Sequence, residues 1–204
     1  MYKETQSQSA AGAYAFAFPG NYDAYVGIIG AGMIGKMVIE RLKAYRIKTL
    51  VFDPFLSQAA ADRLCTEKCT LPEIFRRCDT ISNHLANNPQ TVGIIDYSVL
   101  SLMKSNATFI NTGRGAQVVE ADLIRALTEQ PGRTAVLDVT CPEPPKPDSP
   151  FYTLPNVILT PHIAGSFGNE LVRMAEYMLE EHAAFAENRA ARYEVTSEML
   201  KTMA

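Results

Sequence analysis

Tyr25-Val-Gly-Ile-Ile-Gly30-Ala-Gly32-Met33-Ile34-Gly35 carries an apolar run into a G-x-G-x-x-G turn, and Asp53 closes the next apolar run, Thr49-Leu-Val-Phe. The order strand, glycine turn, helix, strand, acid is the one that dinucleotide binding requires. Gly30 lets the chain turn sharply off the strand. Gly32 leaves room for a pyrophosphate to approach the backbone, and Gly35 lets the helix pack close to the strand. The helix beginning near Gly32 offers free N–H groups and a positive dipole end to phosphates. Gly30, Gly32, Met33, Ile34 and Gly35 are therefore the expected cofactor-binding positions of this turn. Met37-Val-Ile39 and Leu42 continue the apolar pattern beyond it, so a chance glycine turn is a poor explanation.

Asp53 bears on which dinucleotide is bound. A carboxylate at the end of the second strand can accept hydrogen bonds from both ribose hydroxyls of an adenosine and would repel a 2′-phosphate. The following Pro54-Phe-Leu contains no Arg to neutralise such a phosphate, so NAD is expected rather than NADP.

The rest of the chain agrees with that opening. Strand-like runs recur at Thr80–His84, Thr108–Asn111, Thr134–Asp138 and Val157–Leu159, with amphipathic stretches at Leu71–Arg77, Tyr97–Met103 and Ala121–Gln130 between most of them. This alternation predicts an α/β fold, a doubly wound parallel sheet with helices on both faces. Asp96 stands where an N-cap belongs. Cys141 to Pro150 holds five prolines in ten residues, which predicts a rigid extended loop. A last helix, about 169–188, places Leu171, Ala175, Met178, Leu179, His182 and Ala186 at helical spacing, a stripe that needs a partner surface. Residues 1–24 read as an arm or linker, 25–168 as the dinucleotide-binding domain, and 169–204 as a C-terminal helix and tail.

Composition narrows the partners. At 204 residues with 47% hydrophobic content, the chain suits one substantial domain. No apolar run is long enough to span a bilayer, and a formal charge of −3 gives no general attraction to nucleic acid or anionic membrane. Neither a nucleic acid nor a membrane partner is expected. The four cysteines lack metal-ligand spacing, so no metal is expected, and reduced thiols in the cytoplasm are the natural state.

Ligands of an open α/β sheet bind at the carboxyl ends of its strands. Those ends carry Thr112-Gly113-Arg114-Gly115, then Asp138 with Glu143 in the proline loop, then Thr160-Pro-His162-Ile-Ala-Gly165. Taken singly, Arg114 could be a surface turn, Glu143 a solvated acid and His162 a packed imidazole. Together, beside a dinucleotide fingerprint, they read as a catalytic set. His84 ends a strand and reads as a local hydrogen-bonding residue, and His182 as a packing one.

These motifs resemble the D-isomer-specific 2-hydroxyacid dehydrogenases, from about Val26 to the final helix: the glycine turn with Asp53, Phe109-Ile-Asn-Thr-Gly-Arg114-Gly115, Leu137-Asp138-Val139 with Glu143-Pro144, and Leu159-Thr-Pro-His162-Ile-Ala-Gly165. The resemblance implies a Rossmann-type NAD-binding domain and hydride transfer between NAD(H) and a small 2-hydroxy or 2-oxo acid. It implies that Arg114 holds the substrate carboxylate, that His162 is the acid/base, and that Glu143 pairs with His162, favouring the imidazolium and fixing the ring. Asp138 would contact the nicotinamide carboxamide, and Thr112, Gly113 and Gly165 would line the cofactor. A glutamate at 143 separates the chain from related formate dehydrogenases, which have a glutamine there.

Two departures set further expectations. Related enzymes carry an upstream segment that forms most of a substrate-binding domain, so this chain is expected to be a truncated form, a fragment or one part of a split protein, and to form a homodimer or recruit the missing segment. The loop after His84 reads Leu85-Ala-Asn-Asn-Pro89 where relatives have Leu-Pro-Leu-Thr-Pro. A non-catalytic NAD(H)-binding module of corepressor type is the competing reading, and a methyltransferase using S-adenosylmethionine a weaker third. Gly35 and the Pro-His-Ile-Ala-Gly motif argue against the third.

Overall fold

The computed structural model describes residues 20–201. Most of the arm expected over 1–24 lies outside them. Seven strands form one parallel sheet: β1 Tyr25–Ile29, β2 Lys48–Phe52, β3 Glu67–Lys68, β4 Thr80–Asn83, β5 Thr108–Asn111, β6 Thr134–Leu137 and β7 Val157–Leu159. Their spatial order is β3-β2-β1-β4-β5-β6-β7, with parallel pairing throughout. The order reverses direction between β1 and β4, and in open sheets the ligand crevice lies at such a reversal.

The helices are α1 Met33–Leu42, α2 Gln58–Arg63, α3 Leu71–Arg77, α4 Tyr97–Leu100, α5 Glu120–Glu129 and α6 Asn169–Ala186. Successive strand side chains point to opposite faces, and adjacent residues accordingly feed two cores. Ile28 and Val51 pack with Ile39 of α1 and Ala61 of α2, while Ile29 and Leu50 pack with Ile74 and Phe75 of α3. The second core continues through Ile81, Phe109, Ala135, Leu123 and Leu127. The sheet is thus wound on both faces, as the alternation predicts.

Element ends differ modestly from the sequence reading. β4 stops at Asn83 and β6 at Leu137, where side chains of the next residues turn to other tasks. Asp96 caps α4 by accepting from the Ser98 N–H at 2.9 Å, but α4 is regular only to Leu100 and continues as tighter turns, with Met103 N–H donating to Leu100 C=O. Helix α2 and strand β3 escape the sequence pattern because α2 buries only Ala61 and both residues of β3 are exposed. The proline loop ends in a single 3₁₀ turn, Pro150–Tyr152, because proline suits a first helical position.

Helix α6 leaves its stripe uncovered within the chain: Leu171, Met178 and Leu179 are exposed and Ala184 alone in the helix is buried, so the partner surface the stripe was expected to need is not supplied by the described residues. His182, read as packing, is exposed as well. Among the described residues no helix is long and apolar enough to cross a membrane, and no cluster of His, Cys, Asp or Glu has the arrangement of a metal site. All four cysteines are free thiols, Cys69 and Cys78 buried, and burial pushes the Cys78 thiol up to about 12.

Candidate active site

The glycine turn has the geometry its sequence implies. Gly30 adopts φ +91°, where L-residues are strained, and a Cβ there would lie 2.7 Å from the His84 carbonyl oxygen. At Gly35 a Cβ would come within 1.9 Å of the Gly30 carbonyl oxygen, so α1 and β1 approach as closely as glycine permits. Gly32 caps α1, and a Cβ on it would point into open space. That open side, in front of the free N–H groups of α1, is where a pyrophosphate fits. Met33 and Ile34, the first residues of α1, are exposed there.

Asp53 sits at the end of β2 and reaches back to the same turn. Its Oδ2 accepts the Ala31 N–H at 2.7 Å, and its Oδ1 accepts from Phe55 N–H at 2.7 Å and Leu56 N–H at 3.2 Å. The carboxylate therefore ties the two strand ends together at the mouth of the crevice. His84, as expected, bonds locally, with Nε2 2.9 Å from Ser82 Oγ, and burial lowers its pKa.

The His162–Glu143 pair assembles from the segments after two adjacent strands. His162 follows β7, Glu143 lies in the loop after β6, and His162 Nδ1 is 2.6 Å from Glu143 Oε1. Because an ionised carboxylate only accepts, Nδ1 is the donor, and no hydrogen bond within the described residues reaches Nε2. Both side chains line a cleft of about 440 Å³ with Asp138, Thr140, Pro144, Tyr152 and Thr160.

The histidine stands on a left-handed backbone, φ +54°, which few non-glycine residues adopt without support. Asp138 supplies that support. Its Oδ1 accepts from the Thr160 hydroxyl and, at 2.8 Å, from Ile163 N–H, while Oδ2 accepts from Ala164 N–H at 2.9 Å. The His162 N–H donates to the Asp138 carbonyl at 3.1 Å. Burial opposes the Asp138 charge, but the bonds from Thr160, Ala164 and Ile163, with the nearby imidazole, outweigh it and hold the carboxyl below its usual range. Gly165, exposed, lies just beyond this turn.

Arg114 occupies the exposed turn after β5, next to β6 in the sheet, and does not line the cleft of His162 and Glu143. Its Nη1 donates to the Gly113 carbonyl at 2.8 Å. The glycines on either side of it are there for packing. A Cβ on Gly115 would lie 2.0 Å from the Thr140 carbonyl carbon, which presses the Arg114 turn against the start of the Glu143 loop, and one on Gly113 would meet Gln117 Oε1 and Asn83 Nδ2. Thr112, half-buried, joins Gly113 to the end of β5. The sequence reading missed Asn83, Asn111 and Gln117, which surround this turn. Asn83 and Asn111 each follow a buried apolar residue, Ile81 and Phe109, on the same face of β4 and β5, and that break in the face was the available signal; Gln117 in its turn offered none.

Comparison with known proteins settles the lineage. The family model of the D-isomer specific 2-hydroxyacid dehydrogenase NAD binding domain matches residues 2–164. The chain belongs to that family. The chain is 39% identical over 141 residues to D-3-phosphoglycerate dehydrogenase of Mycobacterium bovis, covering 69% of the present chain and 26% of that enzyme. Its fold matches a D-isomer specific 2-hydroxyacid dehydrogenase from Lactobacillus delbrueckii ssp. bulgaricus solved with NAD, at TM-score 0.75 and 26% identity, over 86% of this chain and 56% of that one. It also matches an NADPH-dependent glyoxylate/hydroxypyruvate reductase from Sinorhizobium meliloti solved with NADP, at TM-score 0.75 and 28% identity, over 91% and 62% of the two chains. The chain spans between about a quarter and about half of the length of the curated relatives it matches.

Proposed function

We propose that this chain carries the cofactor-binding and acid/base portion of an NAD-dependent oxidoreductase acting on a small 2-hydroxy or 2-oxo acid, such as glycerate/hydroxypyruvate, glyoxylate or phosphoglycerate. The observation that supports this most directly is the 2.6 Å pair of His162 Nδ1 and Glu143 Oε1 at the carboxyl ends of the strands, the same edge of the sheet that carries a glycine turn shaped for a pyrophosphate. Gly30, Gly32, Met33, Ile34 and Gly35 would hold the dinucleotide phosphates and Asp53 the adenosine ribose. Thr112, Gly113, Asp138 and Gly165 would line the nicotinamide end. NAD(H), when bound, supplies the hydride donor or acceptor at its nicotinamide C4.

The chain's own residues then do the proton chemistry and the holding. Glu143 keeps Nδ1–H engaged, so Nε2 is the ring nitrogen left to give a proton to the C2 oxygen during reduction and to take it during oxidation. Arg114 clamps the substrate carboxylate bidentately and holds C2 in reach of the hydride. Asp138 keeps the histidine on its left-handed turn. The free thiols fit a reducing compartment such as the cytoplasm.

The test is spectrophotometric. The 204-residue chain is expected to bind NADH and to reduce glyoxylate or hydroxypyruvate very poorly or not at all. Arg114 lies on an exposed turn outside the His162–Glu143 cleft, so this chain alone enforces poorly the alignment of reacting atoms that is worth roughly 7–11 kcal/mol. Adding the substrate-binding segment of a relative, in cis or as a separate chain, should raise turnover, and His162→Ala should then abolish it. Robust turnover by the chain alone would contradict this expectation. Bound NADH without turnover even after that addition would favour the regulatory-module reading.

A further inference from the structure

Three amide side chains packed beneath Arg114 form a closed set. Asn83, Asn111 and Gln117 come from the end of β4, the end of β5 and the 3₁₀ turn Gly115–Gln117, and they are 0%, 1% and 0% exposed. Asn83 Nδ2 donates to Asn111 Oδ1 at 2.9 Å and to Gln117 Oε1 at 2.6 Å. Gln117 Oε1 also accepts the Arg114 N–H at 3.2 Å, while Asn111 Nδ2 donates to the Arg114 carbonyl at 3.2 Å. Asn111 Oδ1 accepts the Gly113 N–H at 3.1 Å. Side chains thus hold the backbone of Arg114 on both sides.

The set has one consistent orientation. Gln117 Nε2 donates to the carbonyls of Leu85 and Ala86 at 2.9 and 3.0 Å, and Asn83 Oδ1 accepts the Leu85 N–H at 3.2 Å. Backbone groups cannot exchange donor for acceptor, so each amide is fixed by a partner that does not adapt. Flipping any one of them would set like against like among fully buried groups. Buried networks satisfied in this way specify one geometry. The set also reaches the Leu85–Ala86 loop after His84.

We propose that Gln117 is a positioning residue, fixing the backbone of Arg114 and through it the guanidinium, and linking that placement to the Leu85–Ala86 loop. This rests on the reading of Arg114 as the carboxylate clamp. A bidentate clamp needs placement within about 0.5 Å, which an exposed arginine between two glycines does not secure alone. Gln117 itself does not reach the cleft. Its role acts through Arg114.

The experiment uses oxamate, an inert 2-oxo acid analogue, titrated into the NADH-bound chain, with backbone amide exchange read by NMR. Gln117→Met and Gln117→Leu keep volume but remove the acceptor. Each is expected to melt lower yet bind NADH much as the wild type does. Exchange at the Arg114 amide should accelerate and oxamate affinity should fall about tenfold, the scale of one well-aligned hydrogen bond to a binding group. In combination with Arg114→Ala, either Gln117 variant should add no further loss, since both act on the same grip. A merely structural role would instead weaken NADH and oxamate alike, and its loss would add to that of Arg114→Ala. Unchanged oxamate affinity in a folded Gln117 variant would overturn the proposal, with the clamp reading intact if Arg114→Ala does lose affinity. Oxamate binding that Arg114→Ala leaves unchanged would overturn the clamp reading itself, and where the wild type alone binds no oxamate, exchange at the Arg114 amide decides the positioning role. Should neither Gln117 variant fold, the wild type still decides, because an Arg114 amide exchanging like an open loop would refute the clamping.

Discussion

Asp53 uses three of the roughly four lone-pair positions of its carboxylate on the N–H groups of Ala31, Phe55 and Leu56. What remains is acceptor capacity and full negative charge, at the point where an adenosine ribose would lie. NADH is expected to bind with micromolar-range affinity and NADPH much more weakly, because a 2′-phosphate would face that charge. Calorimetric titration showing equal affinities would remove the argument. Asp53→Ala should narrow the gap, and it should also lower the melting temperature by releasing Ala31 from the turn. Asp138 yields a pH prediction. Its folded-state pKa is depressed, so the stability it contributes is complete above its ordinary 3.8 and is lost as pH falls below that value toward the lowered one. Amide exchange at Ile163 and Ala164 should accelerate over this window, loosening the His162 turn. Protection that stays flat down to pH 2 would show that the turn does not depend on the carboxylate.

At the scale of elements, the junction of β1 with α1 tolerates least. A methyl at Gly35 has only the Gly30 carbonyl oxygen in front of it, so strand and helix must separate. Overpacking of this kind costs about 1–3 kcal/mol and sometimes more. Gly35→Ala should therefore lower the melting temperature by several degrees and weaken NADH together, whereas Gly32→Ala, with no neighbour in reach, should leave stability nearly unchanged while weakening NADH. Equal melting points for the two variants would contradict the packing account. The same scale separates what a pattern can reveal from what it cannot. Strands β1, β2 and β4 to β6 were legible because their apolar residues recur on faces the helices bury, and β7 because it is a bounded apolar run, although Ile158 is exposed. Helix α2 and strand β3 were not, since they bury almost nothing and leave no periodicity. Arg133 was invisible for the opposite reason. It is buried with carbonyl acceptors from Ser101, Met103, Lys104 and Ala126, a charged cap on helix ends that no local spacing announces.

Over the whole molecule, the open question is what covers α6. Leu171, Val172, Met174, Met178 and Leu179 are all at least half exposed on one helix, together with Phe167 before it. Contiguous apolar surface of this kind finds a partner. Self-association at tens of micromolar is expected, and light scattering that reports a clean monomer there would count against it. Replacing Met178 and Leu179 with lysine should shift the equilibrium toward monomer without altering NADH affinity, because α6 lies away from the glycine turn in the chain's topology. By itself the sequence determined the parallel, doubly wound sheet and the glycine turn, because periodicity and glycine placement are local consequences of backbone sterics, and it put Arg114, Glu143 and His162 just beyond strand ends. Only the tertiary structure decided how those residues are held. The Asp138 carboxylate under His162, and the Asn83–Asn111–Gln117 set under Arg114, join groups that lie 22 to 34 residues apart in the chain. Hydrogen bonds of that kind depend on strand order and register, which set which strand ends meet, and no local pattern in the sequence encodes them.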